Sequence, residues 1–162
     1  MSRITGDLII SGNLSVGGNL AIPAGSVNNS QVGANAALDV AKLKHLYKAD
    51  TNFGLPVGGT PATYEEHVFT ASGTGEIRSF NALLTDTGTS TNIDFDIKVN
   101  GTTVLAGVVN FTHADADGTV KQGTLSSVAL AADDRVSISM AVTSATGALG
   151  PRAWVEIEEG AN

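Results

Sequence analysis

The chain has 162 residues, a net charge of -7, no cysteine and only 15% charged residues, against about 25% in an ordinary soluble domain. Disulfide frameworks, thiolate metal sites and thiol nucleophiles are therefore excluded, and with no sequence-wide basic field so is general nucleic-acid binding. So low a charge content also points to surface buried against other copies or partners.

Residues 8–38 carry no charge, yet Gly, Asn, Ser and Pro23 interrupt them throughout. No apolar run reaches the length of roughly 20 residues that a membrane helix needs. Residues 1–4 lack the basic stretch and apolar run of a secretory leader, so none is expected. Residues 6–11, 12–17 and 18–23 are successive copies of a hexapeptide, Gly-[Asp/Asn]-Leu-x-[Ile/Val]-x. In each copy two apolar side chains stand two residues apart, which places Leu8, Ile10, Leu14, Val16, Leu20 and Ile22 on one face of extended chain, with Gly-Asn corners between copies. Three short copies cannot bury that face alone. The pattern predicts a β-arm over residues 1–33 that intertwines with other chains; an ordinary meander packed on the main domain is the alternative.

For residues 34–50 the spacing predicts a short amphipathic helix. Asn35 is a suitable cap, and Ala36, Val40, Leu43 and Tyr47 recur at intervals of four, three and four. Val40, Leu43 and Tyr47 would extend the oligomer interface begun by the arm. Lys42, Lys44 and Lys48 form a small basic cluster with His45, either a solvated helix face or a contact for a partner. Residues 51–62, with the Gly- and Pro-rich run 54–61, read as a linker. Charge divides at this point: Arg3, Lys42, Lys44 and Lys48 nearly balance Asp7, Asp39 and Asp50 before it, whereas the net negative charge falls after it.

Residues 63–162 predict an antiparallel β-sandwich or jelly-roll-like domain, so the fold class is mainly β. Ile93, Phe95, Ile97 and Val99 alternate with Asn92, Asp94, Asp96 and Lys98, one face buried and one wet. Asn100-Gly101 is a type I′ hairpin signal, followed by a returning strand over 102–112. Val136, Ile138, Met140 and Val142 repeat the alternation, as do Ala153, Val155 and Ile157. Further strands are expected at 64–70, 76–84 and 120–130.

No catalytic constellation is evident. The three histidines are scattered, and no nucleophile elbow, zinc-protease or phosphate-loop motif occurs. His113-Ala114-Asp115-Ala116-Asp117-Gly118 sets ligand-type residues at alternate positions but lacks the further acidic ligands of a calcium loop, so a polar hairpin tip is the better reading. The expectation is no enzyme, no cofactor and no resident metal. Trp154 is the single tryptophan, and its parity sets it opposite Ala153, Val155 and Ile157. It is a candidate partner contact, or a platform for a sugar.

The repeat GDLIISGNLSVGGNL resembles the Gly-Asn-Leu β-repeats of trimeric tail and head fibres of tailed phages. The following GSVNNSQVGANAALDVAKLKH is similar to an Ala-rich segment, here closing on Lys42-Leu43, that such virion proteins carry. The stretches FGLPVGGTPATYEEHVF and IDFDIKVNGTTVL are similar to β-sandwich domains of phage structural proteins. The resemblance implies a homotrimeric virion protein, made in the host cytoplasm and exposed on the particle. Its short length favours a capsid decoration (cement) protein that binds the major capsid protein or another virion protein through its N-terminal region. The alternative is a head- or tail-fibre tip that binds a host receptor or surface carbohydrate. Neither nucleic acid nor membrane is an expected partner.

Overall fold

The computed structural model describes residues 45–160, all within the compact unit Asp39–Asn162. The arm 1–33, with Leu8, Ile10, Leu14, Val16, Leu20 and Ile22, lies outside the described residues, as do Val40, Lys42, Leu43 and Lys44. Ten strands follow in order: β1 (His45–Thr51), β2 (Tyr64–Thr70), β3 (Gly75–Asp86), β4 (Ser90–Val99), β5 (Thr102–Thr103), β6 (Val109–Thr112), β7 (Val120–Gln122), β8 (Ala129–Leu130), β9 (Arg135–Thr146) and β10 (Leu149–Glu159). No helix occurs among the described residues.

The strands form two antiparallel sheets. The first has the order β1-β10-β3-β7, with β8 also on β3; the second has β2-β9-β4-β5, with β6 also on β4. Because side chains alternate along a strand, each sheet turns one parity inward. Ile77, Phe80, Leu84, Val155 and Ile157 come from the first sheet and Ile93, Phe95, Ile97, Val136 and Ile138 from the second, and they meet in one core. Phe95 contacts Phe53 at 5.7 Å and, edge to face, Phe111 at 5.6 Å between ring centroids. Each such side chain contributes about 1.5–3 kcal/mol on leaving water, so this is a β-sandwich held by its interior.

The predicted alternations at 92–99, 136–142 and 153–157 are strands β4, β9 and β10 with the expected faces inward. Asn100 and Gly101 both take positive φ, 51° and 82°, as a type I′ turn requires. The returning segment 102–112 is interrupted: after β5 the chain leaves β4, Leu105 bridges to Leu125, and pairing with β4 resumes at β6. The predicted strand 120–130 is divided in the same way into β7 and β8. Gly123 between them sits so close that an added Cβ would meet Leu105 and Phe80 at 2.9 and 3.0 Å.

Two expectations are corrected. Residues 45–50, assigned to the end of a helix, are strand β1, which runs in unbroken register with β10 from His45↔Glu159 to Thr51↔Ala153. The same residues satisfy a period of two, with Leu46, Lys48 and Asp50 outward and Tyr47, Ala49 and Thr51 on the other face. A partner strand more than a hundred residues away supplies hydrogen bonds that no local helix stripe reveals; the remainder of the predicted helix, 34–44, lies outside the described residues. Residues 51–62 are not a linker between domains. They join β1 to β2 within the sandwich, and Phe53, only 4% exposed, anchors the loop in the core. Its N–H donates to the Thr51 hydroxyl at 2.7 Å. The sandwich thus includes β1 and does not begin at residue 63.

Candidate functional site

Cross-strand register builds the outer face of the first sheet. Asp50 on β1 and Asn81 on β3 flank Trp154 on β10, since both are its register partners. Arg152 precedes Trp154 on the same face of β10 and pairs with Leu83. Lys48 sits one position diagonally away, and its ammonium lies 4.9 Å from the centroid of the indole. Arg152 Nη2 donates to Asp50 Oδ2 at 3.0 Å, and both side chains remain more than half exposed, at 56% and 54%. Further along, Arg78 joins Glu76 on its own strand β3 and Glu158 across on β10, at 2.6 Å each. The Glu158 hydrogen bond, first among its causes, holds the Arg78 guanidinium above its usual pKa.

Two hollows adjoin this face. One, of 360 Å3, is lined by Lys48, Asp50, Leu83, Arg152 and Trp154. The other, of 480 Å3, lies beside the β1–β2 loop and includes Asn52, Val57, Glu66 and Thr85 together with the same Asp50 and Arg152. The ion pair therefore forms the shared wall. Thr51 donates its hydroxyl to Glu66 at the back of the second hollow. A third hollow, 570 Å3, opens between β6 and β7. It offers no aromatic ring, and its ammonium, Lys121, is bound to Asp115 and to the Asn110 carbonyl.

The loop acids serve structure. Asp115 accepts from Lys121 at 2.6 Å and from the Thr112 N–H at 2.8 Å, and these, the lysine first, hold its carboxyl below the usual range. Asp117 accepts from the N–H and hydroxyl of Thr87, at 2.8 and 2.9 Å, with the same result. The loop 113–118 thus ties itself to the β3–β4 connection as a polar tip. Asp134 is lowered by the Ala131 N–H and then by Asn100. Among the described residues no group of three acids or histidines could hold a metal ion. His67 bonds to Thr70 at 2.9 Å, His113 lies in the exposed β6–β7 loop, and His45 stands on β1 opposite Glu159.

Of the site residues named from the sequence, the structure brings Lys48 and Trp154 together. Tyr47 packs on Phe69 of β2, with ring centroids 5.3 Å apart, at the rim where the two sheets meet. Asp50, Asn81 and Arg152 were not singled out by sequence. The even parity of β10 could have marked Arg152 beside Trp154; the other two follow only from strand pairing.

No family model matches the chain, and no curated protein matches it. Among solved structures, the chain is similar to "Carbohydrate-Binding Module CBM36 in complex with calcium and xylotriose", with 23% identity over 72% of this chain and 98% of that one and a TM-score of 0.31. The calcium and xylotriose belong to that protein.

Proposed function

We propose that the chain is a structural protein of a tailed-phage virion, a homotrimeric capsid decoration protein that docks through its N-terminal arm and turns the acidic sandwich outward. The observation that carries this reading is the three-copy Gly-Asn-Leu hexapeptide, an apolar pattern that three short copies cannot bury alone, which precedes in the sequence a sandwich with a core of its own. In support, the acids of the described loops serve as ties between backbone segments, which suits a rigid binding body. Function here is binding without turnover.

The test is mass and particle binding. Wild type is expected to scatter light as a trimer and to bind purified capsids lacking the protein. Leu14→Asp or Val16→Asp is expected to give monomers or aggregates, because an ionised carboxylate replaces interchain apolar burial at roughly 25 cal/mol per Å2. An unchanged mass in both variants overturns the intertwined arm. The second reading, a fibre tip that binds a host receptor or carbohydrate, is favoured by one observation, the outward Trp154.

A further inference from the structure

We infer that the outer face around Trp154 binds a carbohydrate, with one sugar ring stacked on the indole and its neighbouring hydroxyls held by Asp50 and Arg152. This deepens the second reading above, on whose carbohydrate ligand it rests, and does not depend on where the protein sits in a particle.

The chemistry of the rim selects the ligand. A protein hot spot wants an aromatic anchor surrounded by apolar contacts that exclude water. Trp154 has Leu83 as its apolar neighbour in the hollow, and Asp50, Asn81, Arg152 and Lys48 border it. An apolar disc the size of one ring, encircled at once by planar hydrogen-bonding groups, is complementary to a pyranose, which carries C–H bonds on its face and hydroxyls at its edge. A guanidinium has five N–H donors and a carboxylate about four acceptor sites. Their mutual bond, 3.0 Å long, engages one of each, so the exposed pair presents a donor and an acceptor side by side to adjacent hydroxyls. The 480 Å3 hollow beyond the pair gives room for a second sugar, with Asn52 and Glu66 as polar partners. Each hollow falls within or near the range of about 300–1,000 Å3 of small-ligand sites.

Lys48 gives the proposal a distinctive consequence. Its ammonium occupies the ring at 4.9 Å, so a stacking sugar displaces it. Removing the charge but keeping the chain length, Lys48→Met, is expected to tighten binding about two- to fivefold, the reverse of a residue that holds the ligand.

Since Trp154 is the single tryptophan, its fluorescence reports on the site directly. The full chain is screened on a printed array of bacterial and plant glycans, then titrated with cellotriose, maltotriose and chitotriose and with any glycan the array retains. A saturable change in emission below roughly 10 mM sugar is expected. Trp154→Ala is expected to abolish retention on the array, Trp154→Phe to weaken it, and Arg152→Ala to weaken it about tenfold, with melting transitions checked for each. Absence of any bound glycan, or binding that survives Trp154→Ala, overturns the inference. Capsid rebinding by Trp154→Ala separates the two proposals. If it is retained, the face is free for sugar. If it is lost and no glycan binds, the face is a protein interface, and the virion reading stands without this one.

Discussion

The two sheets share one core but differ on their outward faces. Outside the second sheet stand Asn92, Asp94, Asp96, Ser137 and Ser139, short polar groups with Lys98 tied to Glu65 at 2.7 Å. Outside the first stand Trp154, Leu83, Arg152, Lys48 and Asp50, longer groups of mixed character with hollows between them. Both faces follow the same period of two, so strand formation does not require the difference. Short, mutually bonded polar side chains make a face that water covers well, whereas a ring set beside an exposed ion pair leaves apolar area and bonding capacity for a ligand.

The largest effect is expected where the faces depend on each other. Phe95→Ala, in the second sheet and fully buried, should cost about 3–5 kcal/mol through lost transfer energy and the cavity left behind. Read through the emission of Trp154 in the first sheet, the melting transition should fall as one step; two separate transitions would mean that the sheets are independent. Acid should act next, and through the second sheet and the loops. Glu65 is lowered by Lys98 and then Ser137, and Asp115, Asp117 and Asp134 are lowered as described above. A carboxylate with a depressed folded pKa lends stability above its unfolded pKa and loses it as pH falls through the folded value. Stability should therefore decline below roughly pH 4 and not on the alkaline side. Asp117→Asn should flatten that decline in a denaturant series run across acid pH. The smallest effect should be Lys98→Ala, at most about 1 kcal/mol for an exposed pair, measured by urea melting and without consequence for any ligand of the other face.

Much of the sandwich was legible because alternation is local. Ile93 to Val99, Val136 to Val142 and Ala153 to Ile157 each announce which side is buried, and Asn100-Gly101 announces its own turn. What misled was also local: Val40, Leu43 and Tyr47 sit at helical intervals, yet Tyr47 belongs to an edge strand. Its partner, Ile157, lies more than a hundred residues on, and propensity within a window carries no trace of a bond so distant. The interruptions in 102–112 and 120–130 arise likewise from a bridge between them, Leu105 to Leu125.

For the candidate site the division is similar. Sequence alone determined that Trp154 faces outward, because parity along one strand suffices for that, and that cysteine and basic-field chemistry are absent. Only the tertiary structure decided its company. Asp50 and Asn81 reach Trp154 through hydrogen-bond register between β1, β10 and β3, and Lys48 reaches it diagonally across the same ladder. Register is set by the whole sandwich closing on its core, which is why a residue's face can be read from its neighbours in the chain while its partners cannot.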